Sequence, residues 1–207
     1  MKRNSIKIAA KIISSIFSPL MMPTYGIIMT LNLTYLYDYT KLSTRLGITS
    51  IILLLTAIIP LVLIQSLSTF KYIKDTELSE RADRTIPFIV TLLLYISSSV
   101  YLYFANAPIW IYGFMIGAST SLAIAMIVNR WWKISAHGTA VGGLVAIAII
   151  LAKMQSESLN LLWLVVGSIL VAGMVGTSRL ILKCHTPAQV YSGFVNGFIN
   201  ILFWTTL

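Results

Sequence analysis

Ile51-Ile52-Leu53-Leu54-Leu55-Thr56-Ala57-Ile58-Ile59-Pro60-Leu61-Val62-Leu63-Ile64 carries no charge and a single hydroxyl. With its flanks it makes an apolar segment from roughly 46 to 70. That exceeds the ~20 residues a helix needs to cross the hydrocarbon core of a bilayer. Working outward, six further apolar segments lie at roughly 13–37, 87–106, 108–128, 137–156, 160–177 and 189–207. The chain is 57% hydrophobic and 10% charged, where a soluble domain of this length carries about 25% charged residues. The fold expected is all-α: a polytopic transmembrane helical bundle of about 6–7 spans, forming one domain over residues 1–207. The short alternating segments of a membrane β-barrel are absent. So is any internal repeat of the kind that builds inverted-repeat transporters.

Local features refine this picture. Pro19 and Pro23 fall inside the first segment, and proline removes a backbone donor, so that segment is expected to be bent or partly re-entrant. Ala105-Asn106-Ala107-Pro108 predicts a tight helical hairpin. Trp110, Trp131, Trp132 and Trp163 fall near span ends, as an aromatic belt requires. Ser97-Ser98-Ser99 and Gly142-Gly143 read as helix-packing contacts. The lone cysteine, Cys184, has no partner for an intramolecular disulfide or a thiolate metal site. No small-residue cleavage site follows the basic N-terminus, so the first segment reads as a retained span rather than a signal peptide.

The formal net charge of +9 does not point to nucleic acid, because the basic residues sit in short loops between spans, where topology accounts for them. Strict alternation puts the N-terminus and the loops 71–86, 129–136 and 178–188 on one face. Twelve of the 15 Lys and Arg residues then share that face, against Lys41, Arg45 and Lys153 on the other. The positive-inside rule places the rich face in the cytoplasm.

Each of those three loops carries a polar cluster. The first runs from Lys74 through Arg81 and Arg84 to Pro87, the second is Ser135-Ala136-His137-Gly138, and the third is Ser178-Arg179 followed by His185. Taken singly, each histidine reads as an interfacial residue, and Arg81 and Arg84 as balancing nearby carboxylates. Together, on one face, they make a phosphate-handling set. Arginine offers paired donors in a fork and lysine a mobile point charge. The start of the fifth span offers oriented amides. One imidazole can attack phosphorus while another protonates the leaving oxygen. No carboxylate cluster suggests a metal, so the residues fit a metal-free, cofactor-free mechanism.

These clusters resemble the signature of the type 2 phosphatidic acid phosphatase superfamily: Lys-x6-Arg-Pro, then Pro-Ser-Gly-His, then Ser-Arg-x5-His-x3-Asp. Ser178-Arg179-x5-His185 matches position by position, Ser135 and His137 keep half of the second motif, and Lys74-x6-Arg81 keeps the spacing of the first, with Ala82 in place of its proline. Arg84, three residues before Pro87, competes with Arg81 for the arginine position. The resemblance implies that His185 is the nucleophile and forms a phosphohistidine. It implies that His137 is the general acid, and that Lys74, Arg81 or Arg84, Ser135 and Arg179 bind phosphoryl oxygens, with a backbone amide from Gly138 or Ala136. The family aspartate that orients the nucleophile is Gln189 here. A glutamine carbonyl can accept the imidazole N–H but brings no charge, and in the serine-protease triad the aspartate-to-amide change costs ~10⁴ in turnover.

The expectation is a multi-pass lipid phosphatase of a bacterial inner membrane. Its partners are the bilayer and a lipid phosphate substrate, with no nucleic acid. Polyprenyl diphosphate is favoured by resemblance alone, beside phosphatidate, phosphatidylglycerophosphate and lipid A phosphate. The alternative is a lipid-phosphate-binding or lipid-translocating protein that keeps the site without turnover. The resemblance also leaves the membrane side open, since many members that recycle polyprenyl carriers face away from the cytoplasm.

Overall fold

The computed structural model describes residues 2–154 and 161–207. Among these every regular element is helical. The first apolar segment is broken in two, at the prolines that the sequence singles out. Helix α1 (Lys2–Ile16) ends before Pro19, and α2 (Met22–Asn32) begins with Pro23 in its first turn, where proline's missing N–H costs nothing. The break is pinned from both sides. Tyr25 Oη donates to the Ile16 carbonyl (3.0 Å) and Tyr95 Oη to the Pro19 carbonyl (3.3 Å). Helix α1 is amphipathic: Ile8, Ile12 and Ile16 are exposed along one side, while Ala10 and Ser14 are buried against the bundle.

A short helix α3 (Leu36–Tyr39) leads into the stretch quoted above. Residues Leu42–Thr69 form a continuous 28-residue helical rod, made of α4 (Leu42–Leu53), a π-helical turn (Leu54–Ile58) and α5 (Ile59–Thr69). Pro60 explains the π turn. It has no N–H for the Thr56 carbonyl and its ring crowds that turn, so the helix widens just before it. The Thr56 hydroxyl is engaged by Thr24 Oγ1 of α2, at 3.2 Å.

The remaining helices are α6 (Thr85–Phe104), α7 (Ile109–Val128), α8 (Ala136–Lys153), α9 (Leu162–Ile181) and α10 (Pro187–Thr206). Among the described residues, five helices are long and apolar enough to cross a membrane: Leu42–Thr69, Ala82–Phe104, Ile109–Val128, Ala136–Lys153 and Leu162–Ile181. The seven apolar segments therefore do not map onto seven equivalent helices. The first is split, and α10 carries Gln189, Ser192, Asn196 and Asn200. Helix α10 packs closely on α8 and α7, with the Asn196 amide donating to the Ser121 carbonyl at 2.9 Å. The expected segment ends at 156 and 160 lie outside the described residues.

Helices α8 and α10 approach through small residues. A Cβ at Gly138 would meet the Val190 carbonyl oxygen at 2.6 Å, and one at Gly142 would collide with the Phe194 backbone. Gly142 and Gly143 therefore do the packing work expected of them. In the expected serine run, Ser98 and Ser99 are buried, and Ser99 donates to the Tyr112 carbonyl of α7 at 3.1 Å. The hairpin between α6 and α7 turns at Asn106, whose φ is 53°. Trp131 and Trp163 are exposed near helix ends, but Trp110 is only 7% exposed and belongs to the hydrophobic core with Ile111, Met115, Ile147 and Leu151. A position at a helix start satisfies the belt pattern equally whether the ring points outward or inward.

Candidate functional site

The end of α9 explains why Arg179 and His185 are six positions apart. Arg179 lies in the last turn of the helix. Lys183 takes a left-handed conformation with φ 55°, the Cys184 N–H donates to the Arg179 carbonyl (3.1 Å), and the Lys183 N–H donates to the Leu180 carbonyl (2.9 Å). This is a Schellman closure, with a lysine where glycine is usual. His185 follows at once, and Thr186 caps α10 in a reciprocal capping box with Gln189. Helix end, turn and next cap together bring Arg179 and His185 to one cavity.

Gln189 has a double task. Its Oε1 accepts from the Thr186 N–H (3.1 Å) and lies 3.2 Å from His185 Nδ1. The Lys133 carbonyl is also 3.2 Å from Nδ1. Both neighbours are acceptors, so Nδ1 carries the proton and Nε2 keeps its lone pair. Burial, then the charge of Arg84, then Lys133 and Arg179, push the His185 imidazole down to about 4 against the pull of the Gln189 hydrogen bond. At neutral pH the ring is uncharged.

The two arginines are buried in different ways. Arg84, 5% exposed, ends a 3₁₀ turn (Ala82–Arg84). It donates from Nε to the Leu78 carbonyl (2.9 Å) and from a terminal nitrogen to the Ile134 carbonyl (3.1 Å). Leu78 itself sits at φ 52°, a strained conformation for a branched residue that turns its carbonyl onto the guanidinium. Arg179 is 7% exposed, and its Nε has no hydrogen-bond partner among the described residues. Both act on Lys133, whose ammonium is pushed down by burial first and then by Arg84.

These groups face a cavity of about 480 Å³ lined by Lys11, Ser14, Glu77, Arg84, His137, Arg179 and His185, with Leu61, Phe88, Tyr95 and Leu122 in its apolar wall. A smaller cavity of about 80 Å³ shares Pro19, Tyr95, Leu122 and Ala136 with it and continues among Phe114, Ala118, Leu144 and Ile201. His137 Nε2 lies 3.1 Å from the Ser14 carbonyl of α1, so that nitrogen carries a proton. Among the described residues no three His, Cys, Asp or Glu side chains converge in a group that could hold a metal ion.

The structure thus brings together His185, His137, Gln189, Arg84 and Arg179. It keeps four other expected site residues out of the cavity wall. Lys74 is exposed and paired with Glu80 at 3.1 Å. Arg81 is exposed, and its carbonyl is tied to Asn129 Nδ2 at 3.1 Å. Ser135 is fully buried as the cap of α8, its hydroxyl accepting from the Gly138 N–H at 3.1 Å. That bond uses the Gly138 amide, and Gly138 itself packs against α10. Sequence reasoning missed Lys11 and Ser14 of α1 and the Lys133 carbonyl. The available signal for α1 was the polar stripe Lys11-Ser14-Ser15-Ser18 at helical spacing.

Fold and site together define a class: a helical membrane bundle with, at one end, a chamber whose charged lining is mainly cationic. No family model, no curated protein and no solved structure matches this chain.

Proposed function

We propose that this protein is a membrane lipid phosphatase that hydrolyses a lipid phosphate or diphosphate through a phosphohistidine. The observation that carries the reading is Arg179: a residue 7% exposed, its Nε without a hydrogen-bond partner among the described residues, in a cavity shared with Arg84 and both histidines. A buried charge without a counter-charge costs several kcal/mol. An anion with several acceptor oxygens offsets that cost, and a phosphoryl group suits the fork of a guanidinium. The match of Ser178-Arg179-x5-His185 to the phosphatase signature supports the same assignment.

In this mechanism Arg84 and Arg179 hold the non-bridging oxygens. His185 Nε2 attacks phosphorus, the P–N bond forms and the bond to the leaving oxygen breaks. His137, protonated on both nitrogens once the negative charge of the substrate is in the cavity, delivers to that oxygen the proton on the nitrogen that Ser14 does not hold, and becomes neutral. It then takes a proton from water as the water attacks phosphorus. The P–N bond breaks, His185 returns neutral and inorganic phosphate leaves. The apolar wall around Tyr95 and Leu122, continuing into the smaller cavity, suits the first part of a lipid tail. In this reading α10 is a sixth crossing helix, and the protein works in the plasma membrane of a bacterium.

Gln189 favours a second reading, because it supplies geometry without charge: a lipid-phosphate-binding or lipid-translocating protein. Release of inorganic phosphate from lipid phosphates by purified protein, with His185→Ala as control, separates the two. Release by the unsubstituted protein alone supports the enzyme. No release from any lipid across pH, with binding retained, leaves the second reading.

A further inference from the structure

We infer that Lys11 selects diphosphate over monophosphate at this site, an inference that rests on the phosphatase reading above. Lys11 lines the same cavity as the histidines and has no carboxylate partner among the described residues. Lys74, which the family spacing would nominate, is committed to Glu80 on the outside.

The placement of Lys11 follows from α1. Lys11, Ser14, Ser15 and Ser18 all line the cavity, at the spacing of one helical face. Ile8, Ile12 and Ile16 are exposed along another side of the same helix. The register is fixed where the Ser14 carbonyl meets His137 Nε2 at 3.1 Å. Lys11 is one turn from Ser14, so its flexible stem reaches from the His137 side of the chamber. Of the other cations, Lys133 acts on the His185 ring, and Arg84 and Arg179 act on both imidazoles. The site therefore has two cationic poles: the arginines, shared by both rings, and the mobile Lys11 of α1 on the side of the acid.

Those poles meet different parts of a substrate. The transferring phosphoryl group lies against His185 and the arginines. The leaving oxygen lies against His137. In a lipid monophosphate the leaving group is an uncharged alcohol, which gives an ammonium nothing to bind. In a lipid diphosphate the leaving group is a phosphate monoester, which carries its own negative charge and needs a cation there. A mobile ammonium suits a group that must depart, and the cavity of about 480 Å³ has room for both phosphoryl groups. Glu77 is the carboxylate in the cavity lining, and it opposes anions at the rim.

The test compares phosphate release from a prenyl diphosphate and the matching prenyl monophosphate in the same detergent. It uses unsubstituted protein, Lys11→Ala, Lys11→Arg and Lys74→Ala. Lys11→Ala is expected to lower kcat/KM for the diphosphate by about 10-fold or more, the scale of one lost charge-assisted bond, and to leave the monophosphate within about 2-fold. Lys11→Arg restores most of the diphosphate rate, and Lys74→Ala changes neither. The readout is the ratio of the two substrates, so a variant that merely folds poorly lowers both and leaves the ratio unmoved. An unmoved ratio in Lys11→Ala overturns the inference, and so does a ratio that moves with Lys74→Ala instead. Unsubstituted protein that releases phosphate from neither lipid overturns the phosphatase reading itself, and the role of Lys11 with it.

Discussion

His185 Nδ1 lies 3.2 Å from Gln189 Oε1, and that oxygen is itself anchored by the Thr186 N–H at 3.1 Å. The amide cannot flip without placing its NH₂ against two donors. Gln189 therefore holds the tautomer that leaves Nε2 free, while the Lys133 carbonyl acts as a second acceptor at 3.2 Å.

Changing Gln189 separates geometry from charge. Gln189→Ala removes one of two acceptors, so phosphate release is expected to fall by about 10- to 100-fold, less than in His185→Ala. Gln189→Glu keeps the length that reaches both His185 and Thr186, and it adds a negative charge that stabilises the phosphorylated ring. Turnover is expected to rise, with the acid limb of the rate profile moving to higher pH. Gln189→Asp is tolerated but is one methylene too short to keep the Thr186 bond. Initial rates from pH 4 to 8 check all three. A Glu variant without activity that still unfolds cooperatively would show that the amide NH₂ has a role of its own.

The two candidate arginines of the first cluster should behave oppositely. Arg84 is buried and bonded to the Leu78 and Ile134 carbonyls, whereas Arg81 is exposed. Arg84→Ala is expected to cost about 10²-fold or more in kcat/KM, the ~2–5 kcal/mol of a truncated buried charge contact. Arg81→Ala should stay within about 2-fold. Steady-state rates on one lipid phosphate check the pair. Equal losses would mean that Arg81 reaches the substrate when it binds.

Much of this was legible in the sequence, and the limits have physical causes. Runs such as Ile51–Leu55 announce membrane helices because a bilayer demands length and apolarity, and Pro19 announces the break after α1. Hydropathy reads 189–207 as one more apolar segment and does not show its packing role, in which Asn196 bonds to α7 and Gly197 lets α8 approach. In the site, Ser178-Arg179-x5-His185 was readable because helix end, Schellman turn and cap are all local. Lys11 was not, because its place depends on α1 docking beside α9 and meeting His137, a contact 123 residues apart in the chain. Ser135 was ambiguous for a chemical reason: a serine before a helix serves equally as a phosphate ligand or as a cap.

Ser135 and Gly138 therefore affect stability more than binding. The Ser135 hydroxyl accepts from the Gly138 N–H, and its own N–H donates to the Gln189 carbonyl at 3.1 Å. Ser135→Ala is expected to cost about 1 kcal/mol, as for other N-caps, with the KM for a lipid phosphate little changed. Thermal unfolding in detergent and a substrate titration check it. An order-of-magnitude rise in KM at unchanged stability would return Ser135 to the phosphate site.

Acidification should weaken the fold through His185. Its imidazole is pushed from the ordinary 6.5 down to about 4 in the folded protein. Between those values the unfolded chain binds a proton that the folded chain does not, so stability falls as pH drops from 6.5 toward 4. Below about 4 both states are protonated and the loss is complete. The Tm of the unsubstituted protein is expected to fall more steeply over this window than that of His185→Asn, which carries no titrating ring. Parallel slopes would show that the ring does not titrate differently on folding.

Arg179 offers the sharpest contrast between stability and function. Its side chain is buried, its Nε has no partner among the described residues, and Arg84 shares its cavity. Without an anion no carboxylate among the described residues pairs with Arg179, and replacing buried ionic groups with apolar chains of similar volume is often stabilising by about 1–4 kcal/mol. Arg179→Met is therefore expected to raise the Tm of the ligand-free protein while abolishing phosphate release. A non-hydrolysable lipid phosphonate should reverse the order, raising the Tm of the unsubstituted protein and leaving Arg179→Met unmoved. The same measurement on Arg179→Lys tells charge from shape, because a lysine keeps the charge but loses the fork. If Arg179→Met is instead less stable without ligand, the guanidinium is already compensated in the empty protein. Arg179 would then cease to be the group that calls for an anion.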